Sequence, residues 1–225
     1  MKETEEQTPP QGRDRILSRL RAALSAGVHS TRAHMPRAAS GRIFAPIPDV
    51  LDRFQKECAN NFTECIVTPD ARGSATAVAD VLASLPLGGI FVQDAPALRR
   101  MAMAWQAERD IRWSREGAPE ETSQATVSLA EVLVAETGSV FVSAACGGRG
   151  ASVVAPAHIV VASHDQLVPD LELAFARLRA RKSPAENSFM CLITGASRTG
   201  DIEKIQVMGA HGPQRLIVVL AQQDV

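Results

Sequence analysis

The sequence lacks the arrangements that would commit it to a resident cofactor. Its four cysteines, Cys58, Cys65, Cys146 and Cys191, show no CxxC or other cluster-ligand spacing, so this chain by itself is expected to hold no iron–sulfur cluster and no metal. Each lies among apolar or small neighbours, where reduced thiols serve as small hydrophobes. No apolar run approaches the ~20 residues of a membrane span, and the opening residues MKETEEQTPPQG are polar rather than signal-like. A cytoplasmic protein that does not enter a membrane is the reading. A formal net charge of −1 argues against nucleic acid as a partner. Neither the GxGxxG dinucleotide fingerprint nor the P-loop pattern is present, and no internal repeat is visible.

What is there suits one well-buried domain with a short extension: 225 residues, 45% hydrophobic. Residues 1–12 are acidic, Pro-containing and aperiodic, and are read as a disordered tail. Residues 13–46 hold a helix over Arg13 to Ala26, with Ile16, Leu17, Leu20 and Leu24 on one face, and then a basic linker. Seven Arg stand against one Asp between residues 12 and 42. That arm reads as a solvated face or as a contact for an acidic partner. His29 and His34 in the linker lack metal-ligand spacing.

Residues 47–225 read as an α/β domain. A helix from Pro48 to about Phe62 places Val50, Leu51, Phe54, Cys58 and Phe62 on one stripe. Strands at 64–68 and 89–93 then alternate with helices at 74–85 and 96–106, and a third short strand is expected at 111–113. Such alternation predicts right-handed crossovers and a mainly parallel sheet. Beyond it the pattern predicts a strand at 126–129, a helix at 130–136, strands at 139–143 and 159–163, and a helix at 166–179. The loop from Ala144 to Ser152 is rich in Gly, which lets a backbone approach a ligand closely.

The stretch LITGASRTGDIEKIQVMGAHGP, residues 192–213, passes at once from an apolar strand to small, hydroxylated and charged residues. Thr194, Gly195, Ser197, Arg198 and Thr199 precede a short helix expected from Asp201 to Val207. Unpaired amides at such a helix start, beside a guanidinium, make an anion pocket. The same residues also suit plain scaffolding, with Ser197 and Thr199 as caps and Asp201 in a first turn.

TGASRTGDIE followed by GAHGP resembles the signature of the lactate utilization protein C family, also called the LUD domain, with Ala196 in place of its usual Pro and Gly200 in place of Ala. Ala135-Glu136-Thr137-Gly138-Ser139 resembles the AETGT motif of that family, and Arg149, Ser152, Pro156 and His158 fall where it has R, S, P and H. The resemblance covers nearly the whole chain from the Arg13 helix onward. It implies a LUD-type domain over 47–225 with a three-layer α/β/α fold of the NagB/RpiA/CoA-transferase kind, whose sites lie at loops beyond the strand ends.

It also implies a function: a subunit of an L-lactate to pyruvate oxidation system, acting with iron–sulfur oxidoreductase partners that carry the clusters this chain lacks. Glu136 and His211 are the catalytic candidates. Thr137, Gly138, Arg149, Thr194, Gly195, Ser197, Arg198, Thr199 and Asp201 are the candidates for holding a small carboxylate or phosphate, Arg149 and Arg198 because a guanidinium matches such an anion at two points. Glu136, Arg149, Ser197, Arg198 and His211 are expected around one cavity. In CoA-transferase relatives a Glu in a comparable turn is a nucleophile, so a stand-alone transferase or sugar-phosphate isomerase using Glu136 is the alternative. A structural Glu136, and a ligand-sensing module without chemistry, also remain open.

Overall fold

The computed structural model describes residues 12–25, 46–106, 109–180, 189–199, 207–208 and 212–225. The chain divides into two compact units, residues 1–45 and 46–225. In the first, α1 (Gly12–Ser25) is the helix anticipated from its periodicity, and its Ile16 and Leu20 are exposed. The expected tail lies almost wholly outside the described residues, as does the basic linker up to residue 45.

The second unit opens with α2 (Val50–Asn60), whose Asp49 accepts a hydrogen bond from the Asp52 amide. β1 (Thr63–Thr68) leads to α3 (Ala71–Ala83), capped in the same way by Asp70, which accepts from the Gly73 amide. Each such cap satisfies a helix-end amide and contributes about 1 kcal/mol. β2 (Ile90–Val92) precedes α4 (Pro96–Ala102), which starts on a Pro at its first turn. β3 (Ile111–Trp113) and β4 (Ala125–Leu129) follow. With β7 (Ala157–Ser163) and β12 (Arg215–Ala221), these strands form a six-stranded sheet, all parallel, in the order β1-β12-β7-β4-β2-β3.

The other elements build a second, smaller sheet. β5 (Val132–Val134), β6 (Ser139–Ser143), β8 (Leu167–Val168) and β9 (Met190–Ile193) run in the order β8-β5-β6-β9, mixed in direction. α5 (Leu171–Arg179) follows β8, capped by Asp170. β10 (Arg198–Thr199) and β11 (Val207–Met208) form a two-stranded antiparallel ribbon.

Alternation along the central strands separates two cores. Val127, Ile159, Val161, Ile217 and Val219 pack with Val78 and Leu82 of α3 and Leu98 and Met101 of α4. Val160, Ala162, Leu216, Val218 and Leu220 pack with Phe54 and Cys58 of α2 and with Leu133, Val140 and Val142 of the small sheet. A third cluster lies between the outer face of that sheet and α5, through Val132, Val134, Phe141, Ala174 and Leu178.

The α/β fold with a parallel sheet is thus present, with one addition to the expected three layers: a mixed sheet, and not helices alone, covers the second face. The helix expected at 130–136 is the strand β5. Its Val-Leu-Val run is buried on both faces, and a continuous apolar run of that kind carries no period to tell strand from helix. The helix expected from Gln166 begins only at Leu171. Leu167 and Val168 pair as β8, and Pro169 disfavours helical geometry just before it. Most of the helix expected at 201–207 lies outside the described residues, and its last member, Val207, belongs to β11.

Candidate functional site

Two turns carrying the sequence motifs meet a third at one corner of the domain. Glu136 to Gly138 joins β5 to β6, and Thr194 to Ser197 joins β9 to β10. These strands lie side by side through β6, so their turns emerge together: Ser139 Oγ is 2.7 Å from Thr194 Oγ1 and donates to Thr137 Oγ1, also at 2.7 Å. The third turn is Asn61-Phe62, between α2 and β1. Asn61 Nδ2 donates to the Thr137 carbonyl at 2.8 Å, and its own carbonyl accepts from Arg198 at 2.7 Å. One residue thereby touches both motifs.

Close backbone approach explains the glycines. A Cβ on Gly195, at φ +85°, would stand 2.3 Å from the Asn61 carbonyl oxygen, and one on Gly138, at φ +62°, would stand 2.7 Å from the Cys58 amide nitrogen. Only glycine permits both the left-handed backbone and that contact. Beneath Gly138, Cys58 Sγ donates to its carbonyl. The neighbouring Cys65 thiol, with burial, pushes the Cys58 thiol well above its ordinary range, which suits packing and not nucleophilic attack.

Arg198 is held on two sides. Its guanidinium lies 4.0 Å above the Phe62 ring while donating to Asn61. Phe62 was expected in the core stripe of α2. It is instead 66% exposed and stands at φ +58°, a left-handed conformation that bulky residues avoid. Glu136 donates its amide to the Pro169 carbonyl, its own carbonyl accepts from Arg53, and its Oε1 is buried with no hydrogen-bond partner among the described residues. Such an oxygen is costly to leave unpaired, which makes it a point of chemical interest.

The corner gathers Glu136, Thr137, Gly138, Thr194, Gly195, Ser197 and Arg198. Ser197 donates its amide to the Pro213 carbonyl, just ahead of β12, so the corner lies beyond the N-terminal ends of β1 and β12. Asp201 and His211 lie outside the described residues, and of Thr199 only the backbone is described. Arg149 is elsewhere. It is exposed, with its guanidinium 5.7 Å from the Phe189 ring, at the end of β6 and β9 opposite Ser139 and Thr194. The expected single cavity with Arg149 inside is therefore not what the strands produce. A strand of five residues separates the two ends of β6.

Asn61, Phe62 and Arg53 are the contributors that motif spacing missed. An Asn at the C-terminal cap of a helix, as Asn61 is for α2, is the one signal that could have found them. His158 is fully buried in β7, with Nε2 2.9 Å from Ser128 Oγ and Nδ1 unpartnered; burial pulls it down to about 4, so it is neutral. Among the described residues no three His, Cys, Asp or Glu side chains group as metal ligands, and no helix is long and apolar enough to cross a membrane.

The model of the LUD domain matches residues 51–221. Lactate utilization protein C of Macrococcus caseolyticus is 33% identical over 96 residues, 41% of this chain and 42% of that protein. Lactate utilization protein C of Bacillus subtilis is 25% identical over 190 residues, 76% of this chain and 78% of that protein. The first of these alignments thus spans under half of the relative. A crystal structure of a DUF162 family protein from Deinococcus radiodurans shares the fold, with a TM-score of 0.56 at 19% identity over 76% of this chain and 96% of that one. The chain belongs to the LUD domain family and is distantly homologous to lactate utilization protein C.

Proposed function

We propose that the protein acts in L-lactate utilization, as one subunit of a system that oxidises L-lactate to pyruvate, and that the motif corner binds the small carboxylate. The observation that carries this reading is the family match over residues 51–221, whose AETGS and TGASR motifs meet at one corner. Arg198 has five N–H donors and spends one on Asn61, which leaves capacity for a carboxylate. Glu136 is suited to accept the hydroxyl proton of lactate. In all, L-lactate loses two protons and two electrons: the second proton comes from Cα as its C–H bond breaks to form the ketone, and the electrons pass to iron–sulfur centres on partner proteins, with no cofactor assigned to this chain. Kinship with the NagB/RpiA/CoA-transferase folds belongs to the same proposal.

Deleting the gene should abolish growth on L-lactate while sparing growth on pyruvate, and gentle affinity purification from lactate-grown cells should recover iron–sulfur proteins with the chain. Unimpaired growth, or recovery of the chain alone, would refute the reading.

The unpaired Oε1 of Glu136 favours one other reading, a transferase in which this carboxylate attacks an acyl-CoA and releases the CoA thiolate. Incubation with acetyl-CoA and then hydroxylamine separates the two, since only the transferase leaves a hydroxamate on Glu136.

A further inference from the structure

The end of the parallel sheet opposite the motif corner carries a cavity of its own. It measures about 350 Å3 and is lined by Ser114, Pro119, Ala145, Gly148, Arg149 and their neighbours. Gln93 follows β2 and Ser114 follows β3, so the cavity stands beyond the C-terminal ends of these strands, where open α/β sheets generally receive ligands.

One side of it is firmly braced. Gln93 Nε2 donates to the Ala145 carbonyl at 2.9 Å, and Gln93 Oε1 accepts from the Leu129 amide at 2.7 Å, joining β2, β4 and the Gly-rich loop. Ser143 accepts from the Ala145 amide and donates to Glu131, and Cys146 donates to the same carboxylate. Burial pushes the Cys146 thiol up to about 12, so it serves as a packed anchor.

The other side is left unspent. Gly148 has φ +87°, and a Cβ there would meet nothing within 4 Å, so no protein atom demands a glycine for space. Among the described residues the amides of Arg149 and Gly150 meet no acceptor, and the Arg149 guanidinium meets no carboxylate. Three described acids nearby are engaged: Asp94 is paired with both Arg99 and Arg115, Glu116 accepts from the Trp113 amide, and Glu120 is paired with Arg112.

We propose that this rim is a second ligand site, separate from the motif corner, for a small molecule bearing a phosphate. Arg149 and the amides of residues 149–150 take the phosphate, as guanidinium and free backbone N–H groups do elsewhere. The rest of the cavity receives the organic body, since about 350 Å3 is more room than the phosphate alone fills.

The test is calorimetry on the full chain with inorganic phosphate and pyrophosphate as probes. Pyrophosphate should bind the wild type, Arg149→Ala should weaken it at least tenfold, and Arg149→Lys should weaken it less, because a point charge replaces a fork. Gly148→Asp, which adds negative charge in open space, should abolish binding with the circular dichroism spectrum unchanged. Arg198→Ala should change affinity by less than twofold, and saturating L-lactate should not compete. Absence of binding by either probe, retention of binding in Arg149→Ala, or equal loss in Arg198→Ala would overturn the proposal. Competition by L-lactate would overturn it too, by placing lactate at the rim; the other outcomes do not bear on lactate binding at the corner, so the two readings fail separately.

Discussion

The motif corner and the Gly-rich rim contain similar residue types and use them in opposite ways. At the corner the hydroxyls of Thr137, Ser139 and Thr194 are hydrogen-bonded to one another, Arg198 is spent partly on Asn61 and Phe62, and two glycines exist because another backbone presses on them. Among the described residues Arg149 at the rim meets only an aromatic ring, and Gly148 faces space. The corner is an interlock in which one carboxylate oxygen, on Glu136, is left unsatisfied. The rim is a braced loop with its polar groups still available. At the corner, then, segments of the chain fit each other around one guanidinium that keeps donors to spare, whereas at the rim the donors are held by no other segment described.

The largest test of this contrast is Gly195→Ala. With its Cβ 2.3 Å from the Asn61 oxygen, the backbone must separate, and the expected loss is about 3–4 kcal/mol. Thermal unfolding should show a fall of about 10 °C for a domain of this size. A fall below about 3 °C would mean that the corner is loosely joined and the contrast false.

Acid probes the sheet that separates the two regions. His158 is buried with its Nδ1 unpartnered and is held down to about 4 from the ordinary 6.5. The unfolded chain binds this proton more readily, so stability is full above pH 6.5 and is lost as pH falls toward 4. At 1.36 kcal/mol per unit, about 2 kcal/mol should vanish between pH 6.5 and 5. Urea unfolding across that range checks it, and His158→Gln should flatten the slope.

The legible part of the fold was the part with a period. The βα alternation from Thr63 to Trp113 stood out because its helices bury one face and its strands run between turn residues. β5 and β8 did not, because Val132 to Val134 are buried on both sides and Leu167-Val168 is too short to display a pattern. At the site, the meeting of the Glu136 and Thr194 turns followed from motifs on neighbouring strands. The departure of Arg149 did not, since it depends on the direction of β6: Ser139 and Ser143 lie at opposite ends of one strand, and linear spacing carries no sign. Phe62 fell on the α2 stripe by count alone, yet the helix ends at Asn60 and the next turn swings the ring outward.

Gly148→Ala sharpens the comparison from the rim side. Its φ of +87° strains any side chain, but nothing lies within 4 Å, so the expected loss is about 1 kcal/mol, a small fraction of that at Gly195. Equal losses at the two glycines, read from urea midpoints, would place a hidden contact at the rim.

Phe62→Asn has the smallest effect on stability and tests what the strained ring is for. A left-handed backbone costs an ordinary residue about 1–2 kcal/mol, which Asn largely avoids, and the stack on Arg198 returns about 0.5–1 kcal/mol at an exposed position. The two changes nearly offset, so the unfolding midpoint should move by about 0.5 kcal/mol or less. What should change is Arg198, whose guanidinium loses the ring 4.0 Å beneath it and keeps only the Asn61 carbonyl. Arginine Nε resonances report this directly: sharper and faster exchanging for Arg198 in the variant, unchanged for Arg149. A loss above about 2 kcal/mol would instead show that the exposed ring carries packing of its own, and the corner would then need Phe62 for its shape more than for holding a cation.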